Sequence, residues 1–188
     1  MNGFQQRTDW IVLTGAPSSG KTSVLEELER QGYAIEHEVA RAYIEACLGT
    51  GLSVEEVRAD KENLQKEILS KKIEREDKML PENLSFLDRA IPDSIAYYQL
   101  AQMDPKEAFD ASYRYRYKYI FIFDRLPVIN DGVRVETEEV AEYLDKQIEK
   151  NYLELDYKPV RVPVLSIEER VEFILDHIGE LDMRKCNN

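Results

Sequence analysis

Trp10-Ile11-Val12-Leu13-Thr14, followed by Gly15-Ala16-Pro17-Ser18-Ser19-Gly20-Lys21-Thr22, is the stretch that decides the fold. It opens on four apolar residues, a run of the right length for a buried strand. The next eight residues match G-x-x-x-x-G-K-[ST] at every fixed position. Glycines at 15 and 20 let the backbone curl around a phosphate with successive N–H groups pointing inward. A helix starting near Lys21 adds the positive end of its dipole. Lys21 is placed to reach the β and γ phosphates as a point charge, and the Thr22 hydroxyl to ligate the magnesium that bridges them. The alternative for these eight residues is a Gly-rich strand–helix turn that binds nothing. A strand before and a helix after supply the context the phosphate-binding reading requires.

Outward from this loop, strand and helix signals alternate, which predicts α/β architecture with a mostly parallel sheet. Gly32 stops the first helix, and a short strand at 33–35 precedes a helix at about 39–48. Residues 53–80 read as one helix or a pair, started by a Ser53/Glu56 capping box. Its acids and bases interleave around a narrow stripe of Leu64, Ile68 and Leu69, so the stretch is expected to be solvated on all but one face. Ser85-Phe86-Leu87 is a third strand. Tyr119-Ile120-Phe121-Ile122-Phe123, apolar throughout, suits a central strand buried on both faces. Leu126 to Glu136 is a loop. Thr137 caps an acidic helix to about Leu155, residues 159–164 form the last strand, and Ser166 with Glu169 caps a final helix to about His177. Five strands result, with helices between them.

Composition bounds the function. Of 188 residues 25 are basic and 37 acidic, a net charge of −12. A field of that sign disfavours broad nucleic-acid binding, although a local basic pocket can still hold a small anion. The alternation Tyr113-Arg114-Tyr115-Arg116-Tyr117-Lys118-Tyr119 is therefore read as a helix end leading into the central strand. No apolar run is long enough to span a membrane, and the polar start does not resemble a signal peptide. Cys47 and Cys186 form no CxxC pair and read as reduced thiols of a cytoplasmic protein. His37 and His177 are too few for a zinc site, and His37 reads as an ordinary partly buried histidine.

In open parallel sheets, ligands sit at the carboxyl ends of the strands. Three of the strands here end in polar clusters: Glu36, His37, Glu38 and Arg41; Asp88, Arg89 and Asp93; Asp124 and Arg125. If the strand order is 2-3-1-4-5, the third strand lies beside the phosphate loop and Asp88 faces the magnesium. The segments WIVLTGAPSSGKTSVLEELERQGYAIEHEVARAYIEA (10–46), FLDRAIPDSIAYY and DGVR resemble the family of the NadR kinase domain. That group includes translocation-defect-like proteins and many bacterial AAA-type ATPases. The resemblance covers nearly the whole chain. It implies a three-layer P-loop fold of the nucleotide-kinase type, ATP or GTP as co-substrate with magnesium, and a short lid. The DNA-binding and adenylyltransferase parts of NadR proteins have no counterpart here, so the nicotinamide substrate does not carry over.

These readings predict one domain over 1–188, with a helical insertion at about 53–80 and a lid at about 125–136. Gly15, Ala16, Pro17, Ser18, Ser19, Gly20, Lys21 and Thr22 are expected to bind nucleotide, and Thr22 and Asp88 the metal. Lys21, Asp88, Arg125 and Arg134 are the candidate catalytic residues, Asp124 being the next choice after Asp88. Glu38, Arg41, Arg89 and Asp93 are the candidates for the acceptor. Each has a plainer alternative: a Glu38–Arg41 or Arg89–Asp93 ion pair, a helix cap at Asp88, solvated arginines at 125 and 134. Two functions fit the pattern. One is a phosphotransferase acting on a small nucleoside-like acceptor. The other is a nucleotide-dependent switch controlling a protein partner.

Overall fold

A computed structural model of the chain describes residues 3–126 and 137–186. The elements run β1 (Gln6–Arg7), β2 (Trp10–Gly15), α1 (Lys21–Arg30), β3 (Ala34–Glu36), α2 (Val39–Gly49), α3 (Val54–Ala59), α4 (Lys61–Lys78), β4 (Ser85–Asp88) and α5 (Asp93–Leu100). They continue through α6 (Lys106–Ser112), β5 (Tyr115–Arg116), β6 (Tyr119–Phe123), α7 (Glu138–Glu154), β7 (Val160–Val162) and α8 (Ile167–Cys186). Five strands form one parallel sheet in the order β3-β4-β2-β6-β7. Counted among the sheet's own strands this is 2-3-1-4-5, the order that puts β4 beside the strand leading into the phosphate loop.

The sheet is covered on both faces, as apolar runs without polar alternation require. Along β2, Trp10 and Val12 turn to one side with Leu87, Ile120 and Ile122, where α4, α5 and α7 add Leu69, Ile95, Leu144 and Tyr152. Ile11 and Leu13 turn to the other side with Phe86, Phe121 and Phe123, against Val24 and Leu28 of α1 and Val171 and Ile174 of α8. Gly15 sits at φ +136°, and a Cβ there would lie 2.8 Å from the Phe123 carbonyl, so the end of β2 can approach β6 only without a side chain.

Three departures from the sequence reading have physical causes. A small second sheet, β1 parallel to β5, anchors the N-terminal residues. The alternating Tyr/Arg run supplies β5, and Arg116 lies over the rings of Phe4 and Tyr157 while donating to the carbonyls of Leu155 and Asp156. The final helix continues to Cys186 instead of stopping near His177. The third departure is α4, which is not solvated on all but a narrow apolar face: Lys72 is 2% and Glu76 0% exposed.

Glu76 is the centre of a buried network. Tyr117 Oη donates to Oε2 at 2.6 Å, and the Ile91 N–H and Arg75 donate to Oε1, each at 3.2 Å. Burial pushes the Glu76 carboxyl up, while Arg75 and the Tyr117 hydroxyl pull it back toward the ionised form. Tyr117→Phe removes one donor from this carboxylate without changing the packing volume much. The expected cost is about 1.5 kcal/mol, a fall in thermal midpoint of roughly 3–6 °C for a chain of this size. A melt within a degree of the parent would show that the network does not need the hydroxyl.

Candidate functional site

The phosphate loop is shaped by its backbone. Ser18 has φ +59° and Gly20 φ +82°, two left-handed residues that turn the loop back on itself before α1 begins at Lys21. No side chain caps the first turn of α1, so its N–H groups stay available to an anion. Ala16 and Ser19 are fully buried behind the loop, whereas Pro17, Ser18, Lys21 and Thr22 line a cleft in front of it. The Lys21 ammonium folds back onto the Ala16 carbonyl and the Ser19 hydroxyl, both at 3.2 Å. Only 6% of the residue is exposed. Burial, reinforced by the positive charge of Arg89, pulls its pKa down to about 8.

Behind the loop lies a residue the sequence reading missed. Arg170, near the start of α8, donates to the carbonyls of Ser19 (2.9 Å) and Pro163 (3.1 Å) and lies over Phe123. A Cβ on Gly20 would meet its guanidinium at 2.8 Å. The terminal helix thus props the loop from below. Its only sequence signal was a lone basic residue one position after a capping box.

The β4–α5 turn supplies the opposing wall. Asp88 ends β4, pairing in register with Leu13, and is 5% exposed. Its Oδ1 is buried without a hydrogen-bond partner. Burial raises its pKa, with Lys21 opposing the rise. Arg89 follows in the left-handed region at φ +62°, a conformation that costs a residue with a Cβ about 1 kcal/mol or more. Charged groups from α4 hold it there. Arg75 donates to the Arg89 carbonyl at 2.8 Å, Lys72 to the Ala90 carbonyl at 3.0 Å, and Glu76 accepts from the Ile91 N–H. So held, the Arg89 guanidinium reaches the Gly15 carbonyl at 2.9 Å and Glu38 at 3.0 Å, with Asp93 at 3.5 Å. Glu38 precedes α2 but caps nothing. Burial would raise its pKa, but the charges of Arg89 and Lys21 outweigh that and hold the carboxyl below its ordinary range.

Lys21, Thr22, Asp88, Arg89, Glu38 and Arg41 come together along one cleft of about 710 Å³. Its far half is walled by Ile44, Leu64, Ile68, Tyr97 and Leu100, with Arg58, Lys61 and Lys72 as polar groups not foreseen from sequence. Asp93 does not line the cleft. It is fully buried, accepting from Thr14, from the Ala90 N–H (2.9 Å) and from the Tyr152 hydroxyl (2.8 Å), so it stands behind Arg89 and fixes the turn. The strand-end pair at β6 is also outside. Arg125 pairs with Glu138, and Asp124 accepts from Arg161 at 2.8 Å, with Asp145 as a second partner of that arginine. His37 lies exposed, 3.6 Å from Glu29. Arg134 and nearly all of the expected lid fall outside the described residues.

Among the described residues no group of three or more His, Cys, Asp or Glu side chains converges on a metal position. A magnesium ion that keeps its waters and binds nucleotide phosphates needs only one or two protein ligands. The unpartnered Asp88 Oδ1 and the Thr22 hydroxyl are donors of the right hardness for that role. Among the described residues no helix is long and apolar enough to cross a membrane.

Comparison with known proteins places the family and the fold. The model of the AAA domain family matches residues 10–170. No curated protein matches the sequence. Among solved structures, the NadR protein in complex with NR superposes with a TM-score of 0.64 at 21% identity, over 92% of this chain and 51% of that one. The chain therefore spans about half the length of NadR. Deoxyadenosine kinase from M. mycoides, holding dCMP and dCDP, gives 0.62 at 17% identity over 92% and 99% of the two chains. Thymidylate kinase from Ehrlichia chaffeensis gives 0.64 at 14% over 92% and 99%. The chain belongs to the AAA domain family of P-loop proteins, and its fold is that of the nucleoside and nucleotide kinases.

Proposed function

We propose that this AAA-domain protein is a phosphotransferase that moves the γ-phosphoryl group of ATP or GTP, with magnesium, to a small nucleoside-like acceptor. The observation that carries the reading is a single continuous cleft. It opens at Lys21 and Thr22, passes the unpartnered carboxylate of Asp88 and ends among Glu38, Arg41 and Arg89. A switch that only binds and slowly hydrolyses NTP has no need of a second half-cleft lined by polar groups and apolar walls. Deoxyadenosine kinase and thymidylate kinase, which share the fold, act on acceptors of this class.

Phosphoryl transfer requires alignment and charge neutralisation. Lys21 and the loop N–H groups supply neutralisation around the β and γ phosphates. Magnesium, which Thr22 and Asp88 would hold, would supply further positive charge there. Asp88 either orients that ion through Oδ1 or receives the proton of the attacking hydroxyl. Its raised pKa makes it a better proton acceptor than Glu38, whose charge is stabilised by Arg89. Arg89, locked by α4, and Arg41 orient the acceptor. Residues 1–188 are read as one unit, with 53–80 covering the acceptor half.

Adding one nucleoside-type compound from a panel to protein, NTP and magnesium is expected to stimulate NTP consumption at least tenfold and to yield a phosphorylated product. Turnover that is substantial and indifferent to the whole panel would sink the kinase reading in favour of the switch. Glu38→Gln and Arg41→Ala are expected to raise the acceptor KM by about tenfold, the worth of one charge-assisted hydrogen bond, and to change the NTP KM by less than about threefold. Equal losses on both sides would misplace the acceptor half.

A further inference from the structure

The cations along the far half of the cleft are unusual for this protein in having no carboxylate partner. Elsewhere its lysines and arginines are mostly tied up. On α4 alone Lys66 binds Glu62, and Lys71 and Lys78 share Glu74. Arg41, Arg58 and Lys61 pair with nothing among the described residues, although acids stand at helical spacing from two of them. Glu38, three residues before Arg41, turns instead to Arg89, and Glu55, three before Arg58 on α3, makes no ion pair with it among the described residues. Lys72 is buried on the same wall, hydrogen-bonded to the Ala90 carbonyl and the Ser94 hydroxyl, with the Asp93 and Glu76 carboxylates acting on its charge from behind the cleft. With Glu38 committed to Arg89 and Asp88 facing Lys21, Arg41, Arg58 and Lys61 meet one uncommitted carboxylate of the cleft, Glu45. In a chain of net charge −12, such a surplus in one place marks an anion site. The surplus lies beside Ile44, Leu64, Ile68 and Tyr97, walls suited to a flat apolar body.

Resting on the phosphotransferase reading, we propose that the acceptor carries a phosphomonoester of its own: the far half of the cleft takes a nucleoside monophosphate, held by Arg41, Arg58 and Lys61, in preference to the unphosphorylated nucleoside. Arginine suits this role because its fork matches phosphate oxygens two at a time. The raised local potential also concentrates an anionic acceptor ahead of a neutral one.

The test is equilibrium titration of the full chain at saturating AMP-PNP and magnesium, which closes the phosphate loop to competing phosphates. Nucleosides, their 5′-monophosphates, ribose 5-phosphate and inorganic phosphate are compared. The best monophosphate is expected to bind at least about tenfold more tightly than its own nucleoside, and this preference should shrink as salt is raised. In Arg58→Glu and Lys61→Glu, exchanges at positions with no partner to lose, the preference should vanish while the melting curve stays cooperative. Inorganic phosphate or ribose 5-phosphate binding as tightly as the monophosphate would mean a generic anion site and would overturn the inference. A nucleoside that binds as well as its monophosphate and stimulates turnover would overturn it too, leaving the phosphotransferase reading intact. If nothing in the panel binds and turnover is acceptor-independent, both fall.

Discussion

Lys21→Ala is expected to weaken NTP binding by about a hundredfold or more, because a hydrogen bond to a charged group contributes roughly 1.5–3 kcal/mol and this ammonium is placed to serve two phosphates. The fold should survive. Lys21 is buried, but its amine makes two hydrogen bonds, both to the loop itself, so the substitution removes a buried charge that burial already disfavours. A distinctive pH signature should accompany the loss. With a free-protein pKa of about 8, the ammonium is half deprotonated at that pH, while bound phosphates favour the charged form. Binding therefore takes up a proton above pH 8. NTP affinity should be level below about pH 8 and weaken as pH rises beyond it, by up to about tenfold per unit. Titration calorimetry at pH 8.5 in buffers of different ionisation enthalpy reads the uptake directly. Lys72, with the same lowered pKa of about 8, lies along the same cleft but off the phosphate loop. A slope that persists unchanged in Lys21→Ala would move the titration to Lys72 and remove Lys21 from the phosphates.

The parts of this molecule legible in the sequence were those set by short-range rules. The eight-residue loop states its own conformation through Gly15 and Gly20, and β2 and β6 state their burial by having no polar face. The strand order 2-3-1-4-5, taken as a premise for placing Asp88 beside the loop, is the order the sheet has. The residues at 71–78 show where such reading stops. Lys71, Glu74 and Lys78 pair with one another in solvent, whereas Lys72, Arg75 and Glu76, interleaved with them, face inward and hold the Arg89 turn. Local composition is the same for both sets. Periodicity was the usable signal: carrying the Leu64, Ile68, Leu69 stripe forward by three and four residues lands on Lys72 and Glu76, which are buried with it. Glu38 was ambiguous for a different reason. Its partner is 51 residues away, and no spacing rule links it to Arg89.

Asp88→Asn should separate stability from activity more sharply than any other change. The carboxylate is 5% exposed, and Oδ1 has no partner in the protein. Burial raises its pKa, so the ionised form is disfavoured in the folded state relative to the unfolded chain. The sign follows directly. Stability linked to this group is fully present below the unfolded carboxyl pKa, where both states are protonated, and is lost as pH rises through the higher folded value. An amide cannot ionise, so the variant escapes that loss. At pH 7 the thermal midpoint of Asp88→Asn should equal or exceed that of the parent. Turnover should nevertheless fall by about 10²–10⁴, the range associated with removing a positioned proton acceptor. A metal-orienting role predicts in addition that the magnesium concentration for half-maximal rate rises, because an amide is a weaker ligand for a hard cation than a carboxylate. If the rate falls with an unchanged magnesium midpoint, Asp88 acts on the proton alone. If the melt drops by several degrees while turnover holds, the carboxylate belongs to the scaffold; Asp124, already paired with Arg161, then becomes the remaining strand-end acid to test.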